Sequence, residues 1–536
     1  MSQNNRSNIY LPIAFALTLA TGLLLGYYLM RVSFVSNHAF LLGKKSGNSL
    51  EQIIQYIKQN YVDTVNVEKL NEEAINGMLS SLDPHSQFIP ASDFHDATDP
   101  LMGKFDGIGV QFRIEYDTII VMNTVPGGPS EKLGIRGGDR IVQVDGKNVA
   151  KIKITNEQVM KLLKGPKGTK VKVGIRRKGV SKIIDFTIVR DAIPTWSIDI
   201  TYPVSKDVGY IKLSKFSATT HDELAEALKK LKEQGIKKII LDLRGNAGGY
   251  LNEAISVSDE FLPAKKLIVY TKGLHRPKQS AYATSEGEWD NLPVVVLIDE
   301  TSASASEIVA GAIQDNDRGT VVGRRSFGKG LVQEQLNLDD GSAMRLTVAR
   351  YYTPTGRCIQ KPYTNGTEDY YLEYYHRFED GELESADSVK LNDSLKYTTP
   401  GGKTVYGGGG IMPDVFIPVD RDSSFSFFNE SVNKGILYQF AFDYSDHHRA
   451  EITRYKDWKT FDKSFTITPA IYSEFVAAAE NSGIRATAAS KAVSQIRISE
   501  LLKAFIARNI FNDDGFYPIY LRTDKAFLKA LEVINK

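Results

Sequence analysis

Three short segments bring together residue types that could carry out a hydrolysis. In Asp299–Asp317, DETSASASEIVAGAIQDND, small hydroxyl residues stand directly ahead of Ile308, Val309, Ala312 and Ile313, which share one helical face. A serine at such a strand-to-helix junction is exposed, and the neighbouring N–H groups lie at the positive end of the helix. That placement suits a nucleophile whose attack creates an oxyanion. A plain N-cap at Ser304 or Ser306 is the competing reading, and this segment alone favours it. The second segment, Gly323–Gln335 or GRRSFGKGLVQEQ, sets Lys329 between two glycines with Gln333 four residues later. A lysine acts as general base only when its amine is neutral, and burial disfavours the ammonium form. The glycines let the chain fold closely around Lys329, whereas Arg324 and Arg325 beside it are compatible with an exposed loop cation. In the third segment, Ile239–Tyr250, an apolar strand ends in Asp242-Leu243-Arg244 and a glycine-rich turn opens a helix. Catalytic groups and anion-binding amides collect at such strand ends. The segment has neither GxxxxGKS/T nor GxGxxG spacing, so a nucleotide-dependent enzyme is not expected.

These segments need a scaffold, and residues 192–360 supply one by alternating strand and helix. Strands are expected at Val208–Leu213, Lys238–Leu243, Leu267–Thr271, Val294–Ile298 and Val321–Val322, and helices at His221–Gln234, Leu251–Phe261 and Ser304–Gln314. That order predicts an α/β layer on a largely parallel sheet. Ahead of it, Phe105–Arg190 reads as short β runs, with a hairpin closed at Glu115-Tyr116-Asp117 and a helix at Asn156–Leu163. This order resembles a PDZ domain. Gly107, Ile108, Gly109 and Val110 stand where that family binds a carboxylate, and glycines let backbone N–H groups converge on an anion.

Ser49–Ser81 reads as two amphipathic helices, either a hairpin packed on the body or a dimerisation arm. Residues 364–410 form an insertion with nine acidic residues against three basic ones between Glu368 and Lys396. A solvated surface loop is expected there, a lid being the alternative. The tail after Arg421 is helix-rich, with candidates at Ile471–Asn481, Ser490–Ile510 and Asp524–Ile534; it carries no chemical motif and either packs on the body or serves a partner.

The 536 residues are enough for three or four domains. Lys+Arg 66 against Asp+Glu 64 leaves a net charge of +2, so nucleic acid is not an expected partner. One cysteine, Cys358, rules out an internal disulfide and a cysteine-based zinc cluster, and the eight histidines include no HExxH, so no metal is expected. Ile9–Met30 is 22 residues without a charge, about 33 Å as a helix at ~1.5 Å per residue. It is read as a membrane anchor, with a cleaved signal peptide as the alternative.

Taken together, the chain resembles the carboxyl-terminal processing peptidases, Ser-Lys peptidases of family S41 with an embedded PDZ domain. The likeness covers residues 45–420 and rests on Leu82-Asp83-Pro84-His85-Ser86, the PDZ segment, Asp242–Gly249 and Ser302-Ala303-Ser304-Ala305-Ser306-Glu307. Phe327-Gly328-Lys329-Gly330, Tyr351–Arg357 and Gly410-Ile411-Met412-Pro413-Asp414 complete it. The resemblance implies that Ser304 is the nucleophile, Lys329 the base 25 residues on, and Gln333 the residue that orients it. It places the oxyanion donors at Ala305 and at Gly248 or Gly249, and it implies no cofactor. His85, in its Asp-Pro turn, is the histidine to weigh for a Ser-His-Asp triad.

The expected architecture is multidomain α/β. It comprises an anchor at 9–30, a helical region at 45–95, a PDZ domain at 96–190, a peptidase core at 191–420 and a helical region at 421–536. The expected function is endoproteolysis near the free C-termini of protein or peptide substrates, on the periplasmic side of an inner membrane, with the helical arm able to join two copies. A PDZ scaffold that kept the peptidase shape without the activity is the competing class.

Overall fold

The computed structural model of the chain describes residues 14–28, 30, 49–419 and 426–536. It divides into two compact units, residues 1–78 and 79–536. Of the apolar run Ile9–Met30, residues 9–13 and 29 lie outside the described residues, and 14–28 are helical. Among the described residues no helix is long and apolar enough to cross a membrane. The two helices expected in Ser49–Ser81 form at Ser49–Asn60 and Val67–Ser80, the first with no buried residue.

The larger unit is built on a six-stranded sheet in the order Ile198–Pro203, Val208–Leu213, Lys238–Asp242, Val294–Ile298, Thr320–Gly323, Val415–Phe416. Only the first pair is antiparallel. Its central strands are continuous apolar runs because both faces are covered; Val294–Ile298, VVVLI, is buried throughout. Alternation decides which residue meets which layer. Ile239, Leu241, Val294, Val296 and Ile298 pack with the helices Thr220–Glu233, Leu251–Asp259 and Ala305–Asp315. Ile240, Val295 and Leu297 face the other way, against Ala526, Phe527, Ala530 and Ile534 of the last helix, Lys525–Ile534. The C-terminal helix is thus a layer of the body built on this sheet.

The strand expected at Leu267–Thr271 exists, as Leu267–Lys272, but it belongs to a different sheet. That sheet is antiparallel and also holds Gln87–Ile89, Gln279–Tyr282 and the hairpin Leu331–Asn337/Ala343–Tyr352. The expected PDZ-like region forms a sheet in the order Val110–Glu115, Thr118–Thr124, Arg140–Val144, Lys170–Arg176, Ile184–Val189. Tyr116 and Asp117, at φ 46° and 52°, close its first hairpin in the conformation two-residue hairpins favour. Thr155 and Gln158 form a capping box on the helix Asn156–Leu163.

The expectation of a solvated loop at 364–410 is overturned. Thr367–Glu379 is a helix and Lys396–Thr398/Thr404–Tyr406 a hairpin. The acidic excess hid this, because part of it is neutralised by packed ion pairs, one within the segment and others to the preceding chain: Arg377 and Arg325 both pair with buried Glu382, and Lys361 with Glu373. In the tail, the helix expected at Ser490–Ile510 runs as Ala488–Tyr520 across a break at Asn512. The tail has its own core around Phe427, Phe461, Phe475 and Leu502. It also touches the PDZ-like sheet, where the Arg113 guanidinium lies 5.3 and 4.9 Å from the rings of Tyr438 and Phe442. Of its two readings, packing on the body is the one observed.

Candidate active site

Strand Val294–Ile298 and helix Ala305–Asp315 are joined by a turn in which almost every polar group is engaged. Asp299 Oδ1 accepts the N–H groups of Gly245, Thr301 and Ser302, each at 3.1 Å. The Ser302 hydroxyl donates to the Leu243 carbonyl at 2.9 Å. The carbonyl of buried Asn246 accepts Ala303 N–H at 3.0 Å and the Ser306 hydroxyl at 2.8 Å. The turn delivers Ser304 to the head of the helix with φ 53° and ψ −113°, a sparsely populated conformation that persists only where its surroundings over-determine it. Gly248 presses on it: a Cβ there would stand 2.8 Å from the Ser304 Cβ and 2.9 Å from the Ala305 nitrogen. The strand-end turn Asp242–Gly249 and the serine turn are therefore one packed unit.

Lys329 follows in the loop after Thr320–Gly323. Its amine donates to Gln333 Oε1 at 3.3 Å, and the Gln333 amide donates to the His85 carbonyl. Burial pulls the Lys329 pKa below the ordinary lysine range; the Arg345 guanidinium adds to this, and the Glu307 and Asp83 carboxylates oppose it. Arg324 and Arg325, which kept an exposed cation in play, are paired with Glu300 and Glu382.

Glu307 joins the two segments. Fully buried, it accepts four hydrogen bonds: Ser304 N–H at 2.8 Å and Lys329 N–H at 2.9 Å on Oε2, and the Ser326 hydroxyl at 2.5 Å and Gly328 N–H at 2.7 Å on Oε1. Burial pushes its pKa up to about 7, against those bonds. The Tyr351 hydroxyl adds a second tie, 2.5 Å from the Lys329 carbonyl and 3.1 Å from that of Ser304. Both residues stand in segments that carry the family resemblance, Ser302–Glu307 and Tyr351–Arg357, but the sequence gives neither of them a role. The Ser304-x-x-Glu307 spacing is the detectable signal for Glu307, because it matches a capping box; Tyr351 stands at the head of the family-like segment Tyr351–Arg357, but nothing local shows that its hydroxyl reaches the site.

Ser304, Ala305, Gly248, Gly249, Lys329 and Gln333 all line one cleft of about 800 Å³. Among the described residues no hydrogen bond joins Ser304 Oγ to Lys329 Nζ, and the Gly248 N–H donates to Asn246 Oδ1 at 2.9 Å. His85 is turned elsewhere: its Nε2 lies 2.9 Å from the Tyr370 hydroxyl. Burial and then the Lys329 charge lower its pKa to about 4, so the ring is neutral at physiological pH.

Gly107 ends strand Lys104–Gly107, which pairs with Asp191–Pro194 in a separate two-stranded sheet; Ile108 and Gly109 lead from it to Val110, the first residue of the PDZ-like sheet's edge strand Val110–Glu115. Among the described residues the N–H groups of Ile108 and Gly109 have no acceptor, while their carbonyls accept Ser130 and Val125 N–H. Gly109 has φ 73°, and a Cβ there would meet Ile193 at 3.1 Å.

Comparison with known proteins gives four family matches. The family described as peptidase family S41 matches residues 207–370, and the PDZ domain 107–188. The N-terminal domain of the activating protease CtpB matches 36–92, and a family of unknown function 427–512. The carboxy-terminal-processing protease of Bartonella bacilliformis is 42% identical over 313 residues, 58% of this chain and 71% of that protein. The carboxy-terminal processing protease CtpA of Bacillus subtilis is 36% identical over 338 residues, 61% of this chain and 71% of that protein. Among solved structures, the photosystem II D1 C-terminal processing protease is 25% identical with a TM-score of 0.36, covering 69% of this chain and 92% of that one.

Proposed function

The chain belongs to the carboxy-terminal processing proteases of peptidase family S41 and is a serine peptidase; from that premise we propose that Ser304, Lys329 and Gln333 carry its chemistry. Ser304 Oγ attacks the scissile carbonyl as the neutral Lys329 amine takes its proton. The Ala305 N–H, at the head of its helix, and an N–H of the Gly248–Gly249 turn receive the oxyanion. Lys329 then gives the proton to the leaving amine; water, deprotonated by the same amine, attacks the acyl carbonyl, and Ser304 Oγ leaves by taking that proton back from Lys329. Gln333 holds the amine on this path. The observation that carries the proposal is a strained serine at a helix N-terminus sharing a cleft with a buried lysine of lowered pKa.

Substrate C-termini are captured at Gly107–Val110, where unengaged N–H groups precede a sheet edge that can accept a peptide as an added strand. The uncharged run Ile9–Met30 anchors the chain in a membrane, with the catalytic body on the extracytoplasmic, periplasmic side. Its length and lack of charge support this. The helices Ser49–Asn60 and Val67–Ser80 join two copies; Ile53 and Tyr56, exposed at 55% and 67%, support that surface.

The test of the chemistry is labelling with a fluorophosphonate, followed by mapping of product C-termini by mass spectrometry. A label on Ser304 and substrates shortened at their C-termini are expected. A folded chain that takes no label and cuts nothing would instead be a PDZ scaffold. Fractionation and protease accessibility in cells test the anchor and its side.

A further inference from the structure

We infer that the Asp83–Ser86 turn is a positioning element for the general base: it fixes the orientation of the Gln333 amide, and the helix Thr367–Glu379 in turn braces it. This rests on the reading of Lys329 as the base. Gln333 can serve the amine in one orientation only. The amide oxygen accepts and its NH2 donates, and Lys329 has no use for a second donor. The long side chain does not choose between its two flips by itself. The choice is made by its other partner, the His85 carbonyl, which can only accept and so takes the NH2. That leaves Oε1 facing Lys329 Nζ.

The carbonyl is held by its own turn. Asp83, 6% exposed, accepts His85 N–H at 2.8 Å and Ser86 N–H at 2.9 Å on Oδ1, and the Ser86 hydroxyl at 2.6 Å on Oδ2. It also accepts the Thr347 hydroxyl at 3.0 Å, while Ser86 Oγ accepts Thr347 N–H at 3.1 Å. Thr347 is the cross-strand partner of Gln333. The turn is therefore bolted to the same pair of strands that carries the amide it orients. From the outer side, the Tyr370 hydroxyl meets His85 Nε2 at 2.9 Å and the Tyr371 hydroxyl donates to the Pro84 carbonyl at 3.0 Å. The same helix sends Arg377 to the carbonyls of Ser326 and Arg325 at 3.1 and 2.8 Å. Both the loop that carries Lys329 and the carbonyl that orients its partner are thus referenced to one helix of the 364–410 insertion.

The experiment is a double-mutant cycle on the full chain: Gln333→Ala, Asp83→Ala and the pair, with kcat and KM for one peptide substrate. Rates are taken on the pH plateau, where the lysine is neutral in every variant, so that loss of the Asp83 charge does not enter. Asp83→Ala is expected to lower kcat by about tenfold to a hundredfold with KM little changed. In the Gln333→Ala background the same substitution should change kcat by less than about twofold, because the group through which it acts is gone. A loss by Asp83→Ala that is undiminished in that background means a purely structural turn and overturns the proposal. If Asp83→Ala does not fold, Tyr370→Phe takes its place in the cycle. A kcat loss that disappears with Gln333→Ala supports the proposal, and a wild-type kcat overturns it. Retained activity in Lys329→Met would sink the base assignment itself, a result separate from any outcome of the cycle.

Discussion

The serine turn and the Gly107–Val110 loop are made of similar material, small residues and backbone N–H groups at the start of a secondary-structure element, and they are finished to different degrees. Around Ser304 the chain satisfies its own groups: Asp299, Asn246 and Glu307 between them accept the neighbouring N–H and hydroxyl donors. At Gly107–Val110 two N–H groups have no acceptor among the described residues, and the edge strand beyond them has one neighbour instead of two. A site that performs chemistry must hold its geometry before substrate arrives, because reorganisation would add to the barrier. A site that recognises a chain end leaves the places its ligand will fill. On the proposed reading the contrast separates rate from selection, and it can be broken at either end.

The largest effect should come from the dyad. Ser304→Ala is expected to lower turnover by about 10³-fold or more without shifting the melting temperature, and Lys329→Arg to be as inactive, since a guanidinium does not deprotonate in this range. Burial lowers the Lys329 pKa, so kcat/KM should rise with pH through a value below that of a free lysine. Between that value and the ordinary one the unfolded chain binds more protons than the folded one, so stability should also rise with pH across this window. A pH series of rates and of chemical denaturation checks both.

Glu307 tests how far the finished state of the catalytic side matters. All four of its partners are donors, so Glu307→Gln would turn an NH2 against them. A loss of about tenfold to a hundredfold in kcat is expected, with about 2 kcal/mol of stability. Because burial raises the Glu307 pKa from 4.5 to about 7, its contribution to stability is complete below the lower value and declines as pH rises to the higher. The glutamine variant should lack that decline in denaturation measured at successive pH values.

At the recognition end, the Ser304→Ala chain should bind a peptide with a free apolar C-terminus about tenfold more tightly than its C-terminal amide, a difference of ~1.4 kcal/mol. Titration calorimetry with both peptides decides this, and equal affinities would remove C-terminal selection from the reading. Gly109→Val should weaken the acid peptide, because a side chain at φ 73° strains the loop.

The smallest effect is expected at Ser306, whose hydroxyl only ties the helix to Asn246. Ser306→Ala should keep activity within about twofold and cost about 1 kcal/mol on unfolding.

Elements whose signal is local could be read from the chain before it was folded. The strand Val294–Ile298 and its helix were legible because an apolar run and a 3.6-residue stripe depend only on near neighbours. That Ser304, Lys329, Gln333 and the Gly248–Gly249 turn meet in one cleft was legible because their spacing is that of a known family. Partners that come from far along the chain emerged only with the packed fold. Leu267–Lys272 reads as a strand anywhere, but its sheet was settled by pairing with Ala343–Tyr352. The 364–410 segment looked solvated because its carboxylates were counted without Arg325 and Lys361, which lie outside it. The last helix became a layer of the catalytic body because one face of the parallel sheet was left to cover. His85, weighed as a catalytic ring, contributes its carbonyl to Gln333; every residue offers one, and where it points is known only once distant strands have packed.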